Sequence, residues 1–260
     1  MTLISRSFSA HLGYLFSELP LEKRFAAASR SGFKLVEHPE PFVISANKMR
    51  NLLDENDLRM VQIGTGSGGN GRKGLAALPG FESVFRENLL RALDFAEEVG
   101  CPLVHPMAGV PDREIDQTRC VDCWRANIAF AIEEVQNRPI SILVEVINQI
   151  TVPGYFLHRF DLYVEFISTL QEKPLLLLDS YHAALNEEDA TLVVRSKGVE
   201  IGHVQIADSP GRHEPGSGGY DFVALEAALT EVGYDGAIGL EYVPQHSAEN
   251  FDWIDRWPNC

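Results

Sequence analysis

Cysteine is scarce in this chain, basic residues are outnumbered, and no apolar run is long. Each shortage excludes something. Four cysteines, Cys101, Cys120, Cys123 and Cys260, cannot staple 260 residues together. The fold must therefore rest on a packed core, and the cysteine usage fits a reducing compartment. Cys120 and Cys123 have the two-residue gap of a zinc or redox pair. No second pair and no neighbouring histidine completes such a site, and both fall within a helical pattern, so they read as ordinary helix cysteines. Lysine and arginine number 22 against 37 acidic residues, a net charge of -15. A nucleic-acid partner would demand a basic footprint to neutralise phosphates. No stretch approaches the roughly 20 apolar residues that cross a bilayer. The opening Met1-Thr-Leu-Ile-Ser-Arg6 lacks the apolar run of a signal peptide. The expectation is a cytoplasmic protein with a small-molecule partner, no nucleic acid and no membrane. The sequence leaves room for a homo-oligomer.

What is present is a rhythm of short apolar runs and amphipathic segments. Strands are expected at Ser7–His11, Phe33–Glu37, Leu58–Ile63, Leu103–Met107, Ile140–Glu145, Leu175–Leu178, Ile201–Ile206 and Ala237–Leu240. Helices are expected between them at Leu21–Ser31, up to Glu55 with Ser45 as its cap, Phe81–Val99, Gln117–Gln136, His158–Leu170, Glu187–Ser196 and Phe222–Val232. A last helix is expected at Ala248–Trp257. Gly32 and Gly100 read as C-terminal helix stops. Alternation of this kind argues a parallel sheet. Eight units in this length fit an α/β fold of one closed (β/α)8 TIM barrel, a single domain over residues 1–260, better than an open sheet.

Two loops are long. Residues 64–80 are rich in glycine and contain Gly64-x-Gly66, but no helix opens directly after it and no Gly-Lys-Ser/Thr follows. A lid or a partner contact is the better expectation. Its cations Arg72 and Lys73 are in reach of an anionic substrate. The second loop, Asp208 to Tyr220, carries Arg212, His213 and Glu214.

Four of the strands end on an oxygen-bearing side chain: Glu145, Asp179, Gln205 and Glu241. Barrel enzymes gather their chemistry at the C-terminal ends of their strands. Three carboxylates in one mouth repel each other, so they need a cation or raised pKa values. Four oxygen donors suit Mg²⁺ or Mn²⁺ rather than zinc. Such an ion would polarise a substrate carbonyl, and Glu145 and Glu241 could move a proton between adjacent carbons as base and acid. His182 could donate to a substrate oxygen, and Arg212 could clasp a carboxylate with its planar fork. Glu37, His38 and His105 could each line the mouth, while Asn148 reads as a residue that fixes backbone near Glu145.

These segments carry a resemblance. Val144-Glu145-Val146-Ile147-Asn148, Val152-Pro153-Gly154-Tyr155, Asp179-Ser180-Tyr181-His182, Gly202 to Asp208, Glu214 to Gly218 and Gly239-Leu240-Glu241-Tyr242 resemble the hydroxypyruvate isomerase family of xylose-isomerase-like barrels. Phe8 to Leu12 and Gly32 to Glu37 fit as well. The resemblance implies an aldose–ketose type isomerisation, with Glu145 and Glu241 as the proton-transferring pair. It also implies a divalent-metal site of Glu145, Asp179, Gln205 and Glu241. Related ketose 3-epimerases usually carry histidine where Gln205 stands, so glutamine leans toward the isomerase branch. Gly219 replaces a usual glutamate, and Val36-Glu37-His38-Pro39-Glu40-Pro41 and the third loop also depart from the pattern. The expected substrate is a short hydroxy-keto acid, hydroxypyruvate first and a 2-oxo-tetronate next. A ketose 3-epimerase, an apurinic-site endonuclease and a sugar-acid binding protein are the competing readings.

Overall fold

Each expected apolar run forms a strand, and each strand pairs in parallel with the next in sequence. The computed structural model describes residues 6–245 and 251–260. Its strands are β1 (Phe8–His11), β2 (Leu35–His38), β3 (Arg59–Gly64), β4 (Leu103–His105), β5 (Ser141–Glu145), β6 (Leu175–Asp179), β7 (Ile201–Ile206) and β8 (Ile238–Leu240). β8 returns to β1, with Gly239 opposite Ser9, and closes the barrel. Closure leaves no sheet edge unpaired.

The helices are α1 (Leu21–Arg30), α2 (Ala46–Glu55), α3 (Glu82–Val99), α4 (Gln117–Val135), α5 (Phe160–Ile167), α6 (Ser180–Leu185), α7 (Ala190–Val194) and α8 (Phe222–Glu231). Their ends follow local chemistry. Ser45 Oγ accepts the Lys48 amide and caps α2. Gly100, at φ +68°, stops α3 in the left-handed region. On α3, Phe85, Leu89, Ala92, Leu93, Ala96 and Val99 recur at helical spacing and are buried. This stripe packs on the barrel. Cys120 and Cys123 lie on α4 as free thiols in the same layer. No helix among the described residues is long and apolar enough to cross a membrane.

Three expectations need correcting. The helix expected at Glu187–Ser196 is the shorter α7. Ahead of it stands α6, which opens directly from β6 because Asp179 caps it, its Oδ1 accepting the Tyr181 amide at 2.8 Å. α5 ends three residues short of Leu170, where Ser168 and Thr169 turn their hydroxyls onto the carbonyls of Glu165 and Phe166. The closing helix over Ala248–Trp257 is also absent from Phe251 onward; only a 3₁₀ turn at Ile254–Arg256 forms. There Trp253 and Trp257 both pack edge-on against Phe8 at 5.6 Å, so aromatic anchoring decides this segment. Residues 246–250 and Met1–Ser5 lie outside the described residues.

The glycine-rich loop is pinned rather than free. Ala76 and Ala77 amides bond to the carbonyls of Met107 and Ala108, and the Val110 amide bonds to Arg72 O at 2.7 Å. Gly74, at φ +117°, sits so close that a Cβ would stand 2.2 Å from Met107 O. Only glycine fits there. Lys73 is thereby held at the barrel mouth.

Candidate active site

The site is built by the two-residue period of strands. Side chains two apart share a face, so β5, β6 and β7 deliver Glu145, Asp179 and Gln205 to the C-terminal end of the barrel, where Glu241 directly follows β8. Glu145, Gln205 and Glu241 line one cavity of about 430 Å³, together with His182, Arg212 and Lys73. Asp179 stands directly behind, fully buried, and touches both His182 and Arg212. Glu145, Asp179, Gln205, Glu241, His182, Arg212 and Lys73 thus come to one place, and His105 joins them, whereas Arg72, which packs over Phe81, and His38 do not line the cavity.

Arg212 is the central cation. Its Nη2 donates to Glu241 Oε1 at 2.6 Å and to Asp179 Oδ2 at 3.2 Å, and its Nε donates to the Glu241 carbonyl at 3.3 Å. The guanidinium lies between the rings of Tyr14 and Tyr181, 4.8 and 4.9 Å from their centroids. The loop that presents it is organised by Asp208. That buried carboxylate accepts the amides of Ser209, Gly216, Gly218 and Tyr220. Asp208 therefore serves the loop rather than the mouth.

His182 has an assignable tautomer. Asn148 Oδ1 is taken by the amides of Ile150 and Thr151, so Asn148 turns its NH₂ to His182 Nδ1. The proton of a neutral ring then sits on Nε2, which faces Asp179 Oδ2 at 3.5 Å and Glu145 Oε1 at 3.7 Å. Burial lowers the His182 pKa to about 4, so the ring is neutral at pH 7.

Two further imidazoles flank the glutamates. His11 Nε2 stands 3.7 Å from Glu241 Oε2, and His105 Nδ1 stands 3.7 Å from Glu145 Oε2. Burial lowers their pKa values to about 4 and about 3. The glutamates move the other way. Burial raises Glu145 well above the usual carboxylate range, with Glu241 and Asp179 adding to the rise. Burial also raises Glu241 to about 8, against the pull of Arg212.

The sequence marks Glu37 only as a residue that could line the mouth; its partners are a finding of the structure. It is fully buried at the end of β2, where Ser9 Oγ (2.8 Å), His203 Nε2 (2.7 Å) and Gln205 Nε2 (2.7 Å) all converge on its carboxylate. Burial works to raise its pKa, but His203 and Gln205 hold it down to about 2. A lone glutamate near the end of a short strand carries no signal of such partners, since they come from β1 and β7.

The donor set fits a hard divalent cation. Three carboxylates face one guanidinium, the three imidazoles are neutral, and Glu145, Asp179 and His182 place ligand atoms within 4.8 Å of one another. Carboxylate and imidazole atoms gathered this closely are donors that a divalent cation could take up.

A closed barrel that gathers buried carboxylates of raised proton affinity at its C-terminal mouth has the architecture of a barrel enzyme. The comparisons make the relationship specific. The chain belongs to the xylose isomerase-like TIM barrel family, whose sequence model matches residues 25–257. It is 36% identical over 241 residues to the 2-oxo-tetronate isomerase of Cupriavidus necator, covering 92% of this chain and 93% of that protein. It is 36% identical over 258 residues to the "Putative hydroxypyruvate isomerase" of Mus musculus, covering 95% of this chain and 93% of that one. The crystal structure of a Brucella melitensis protein described as AP endonuclease, family 2, superposes with a TM-score of 0.92 at 31% identity, over 97% of this chain and 99% of that one.

Proposed function

We propose that this chain is an isomerase that interconverts a short hydroxy-keto acid and its aldehyde isomer, with hydroxypyruvate and 2-hydroxy-3-oxopropanoate as the first pair. The observation that carries the reading is the pairing of Glu145 and Glu241 across one cavity, both with raised proton affinity. A general base works best when its pKa lies near the operating pH; burial raises both glutamates, and brings Glu241 to about 8. One glutamate takes the proton from C3 of the bound acid and the other delivers a proton to C2. The hydroxyl proton passes from O3 to O2, and the carbonyl shifts from C2 to C3. The glutamates have then exchanged protonation states, which solvent exchange resets.

The other residues bind and orient. Nε2–H of His182 donates to a substrate oxygen. Arg212 lowers the proton affinity of Glu241 against the larger effect of burial and offers its remaining Nη1 donors to the substrate carboxylate. Lys73 adds a second positive charge at the rim. Glu145, Asp179, Gln205 and Glu241 would hold Mg²⁺ or Mn²⁺, which supplies Lewis-acid polarisation of the carbonyl and stabilises developing negative charge. Four free cysteines suit a reducing cytoplasm.

A 2-oxo-tetronate is the second reading, supported by the name of the Cupriavidus necator relative. It differs by one hydroxymethylene unit and uses the same carbons. Proton NMR of purified protein with Mn²⁺-free Mg²⁺ buffer, hydroxypyruvate, a 2-oxo-tetronate and a panel of ketoses separates the readings. The aldehyde from hydroxypyruvate, or the 3-oxo isomer from a 2-oxo-tetronate, supports isomerisation. A 3-epimer from a ketose with neither acid turned over replaces it. The endonuclease reading predicts nicking of an abasic duplex, and the net charge of -15 opposes that binding.

A further inference from the structure

The mechanism above leaves one buried charge unused. Glu37 is 0% exposed and ionised, and both of its oxygens are filled by donors. Three donors fill most of the roughly four acceptor sites of this carboxylate, two on Oε2 and one on Oε1. Its ligand atoms lie within 4.8 Å of those of His11 and Glu241, while its own hydrogen bonds run to Ser9, His203 and Gln205. The barrel has nevertheless been shaped around it. Ser9 and Gly239 are cross-strand partners on β1 and β8, and a Cβ on Gly239 would stand 2.5 Å from Glu37 Oε1. His203 and Gln205 reach it from one face of β7.

Gln205 explains the investment. A glutamine side chain has two ends of opposite character and nearly equal shape: an oxygen that accepts and an NH₂ that donates. At the mouth only the oxygen is useful toward a cation or a substrate hydroxyl. Glu37 accepts from Nε2 at 2.7 Å, and an anion cannot face the oxygen end. Planarity of the carboxamide then turns Oε1 away from Glu37, to the cavity that Gln205 lines.

The geometry points to Glu37 as a positioning residue that fixes the orientation of the Gln205 carboxamide, so that this position presents an oxygen and selects a hard divalent cation. The inference rests on the cation site proposed above. A neutral residue at position 37 would itself carry an amide that can face either way. Gln205 would lose the anion that forbids its flipped form, and its NH₂ would enter the cavity. Substituting a partner of this kind weakens metal binding by about 10–100-fold in known sites.

The test uses wild-type chain, E37Q, Q205E and E37Q/Q205E. Two readouts are taken: the Gln205 side-chain NH₂ resonances of metal-free protein, assigned by their loss in Q205E, and Mn²⁺ affinity by electron paramagnetic resonance. In wild type the NH₂ protons should exchange slowly with solvent, and in E37Q they should shift and exchange fast. Mn²⁺ affinity should fall about tenfold or more in E37Q. It should recover in E37Q/Q205E, where a carboxylate shows oxygen to the cavity whichever way it turns and the carboxamide introduced at position 37 donates to its inner oxygen. Recovery distinguishes orientation from a merely structural effect, and the double variant serves if E37Q fails to fold. Unchanged Gln205 resonances in E37Q, or Mn²⁺ held as tightly as in wild type, would overturn the proposal. Should wild type bind no Mn²⁺, the cation site itself fails, while the resonance arm still decides the orientation.

Discussion

Replacing Arg212 by methionine removes the one guanidinium that meets two of the site's carboxylates. Methionine keeps the length of the side chain and contact with Tyr14 and Tyr181, but it deletes the bonds of 2.6, 3.2 and 3.3 Å to Glu241 and Asp179. Asp179 is 0% exposed and Glu241 and Arg212 are 14% exposed, so water cannot replace the lost partner. Breaking one side of such a pair costs about 3–5 kcal/mol, and the residual exposure puts this case near 3. In a domain of this size that is a fall in Tm of about 6–12 °C. Arg212 is also the main influence lowering the Glu241 pKa against burial, so its loss raises that pKa above about 8. The alkaline-going rise in turnover should therefore move to higher pH in R212M. R212K, which keeps the charge but loses the fork, should fall between. Thermal melts in EDTA and in Mn²⁺, with pH–rate profiles, make the measurement. Mn²⁺ should restore more of the Tm in R212M than it adds to wild type, because it supplies the missing positive charge. A Tm within about 2 °C of wild type, with the pH profile unmoved, would refute the account of Arg212.

The remaining predictions concern pH, the loop and the barrel floor. Metal-free protein should lose stability as pH rises from about 4.5 to about 8, because folded Glu241 keeps a proton that the unfolded chain releases. Glu37 acts in the opposite sense, contributing stability above about 4.5 that disappears as pH falls toward about 2. Urea midpoints in EDTA across this range check both, and a flat profile from pH 5 to about 9 contradicts the burial of Glu241. D208A orphans four backbone amides, each worth about 1 kcal/mol or more; hydrogen exchange at Gly216 and Gly218 should accelerate, and KM should rise through Arg212. G239A forces a methyl group against Glu37 and should cost about 1–3 kcal/mol in chemical denaturation; an unchanged midpoint would mean the Glu37 cradle is loose.

The barrel was legible because its signals are local. Gly32 and Gly100 stop helices, Ser45 caps one, and short apolar runs alternate with amphipathic stripes. Glu145, Asp179, Gln205 and Glu241 stood out because each follows an apolar run at the same point in the unit. Glu37 has that placement too, but it is followed by histidine and two prolines that read as a turn. Its meaning lies in Ser9, His203 and Gln205, which only barrel closure brings near. The tautomer of His182 likewise depends on Asn148, 34 positions away. α6 was missed because Asp179 serves both as strand end and as cap. The final segment, expected as a helix, is decided by contacts remote in sequence: Trp253 and Trp257 pack on Phe8, and only a 3₁₀ turn forms at Ile254–Arg256.

The central claim is that Glu145 and Glu241 pass protons on and off adjacent carbons of one bound acid. It is tested most directly by following the carbon-bound protons of hydroxypyruvate and of a 2-oxo-tetronate in D₂O with wild type, E145Q and E241Q. Wild type should exchange deuterium into at least one acid while forming its isomer, the aldehyde from hydroxypyruvate or the 3-oxo acid from a 2-oxo-tetronate. Each variant should remain folded, since glutamine relieves a buried charge, and should lose turnover by about 100-fold or more. Exchange and turnover at wild-type rates in both variants would contradict the account.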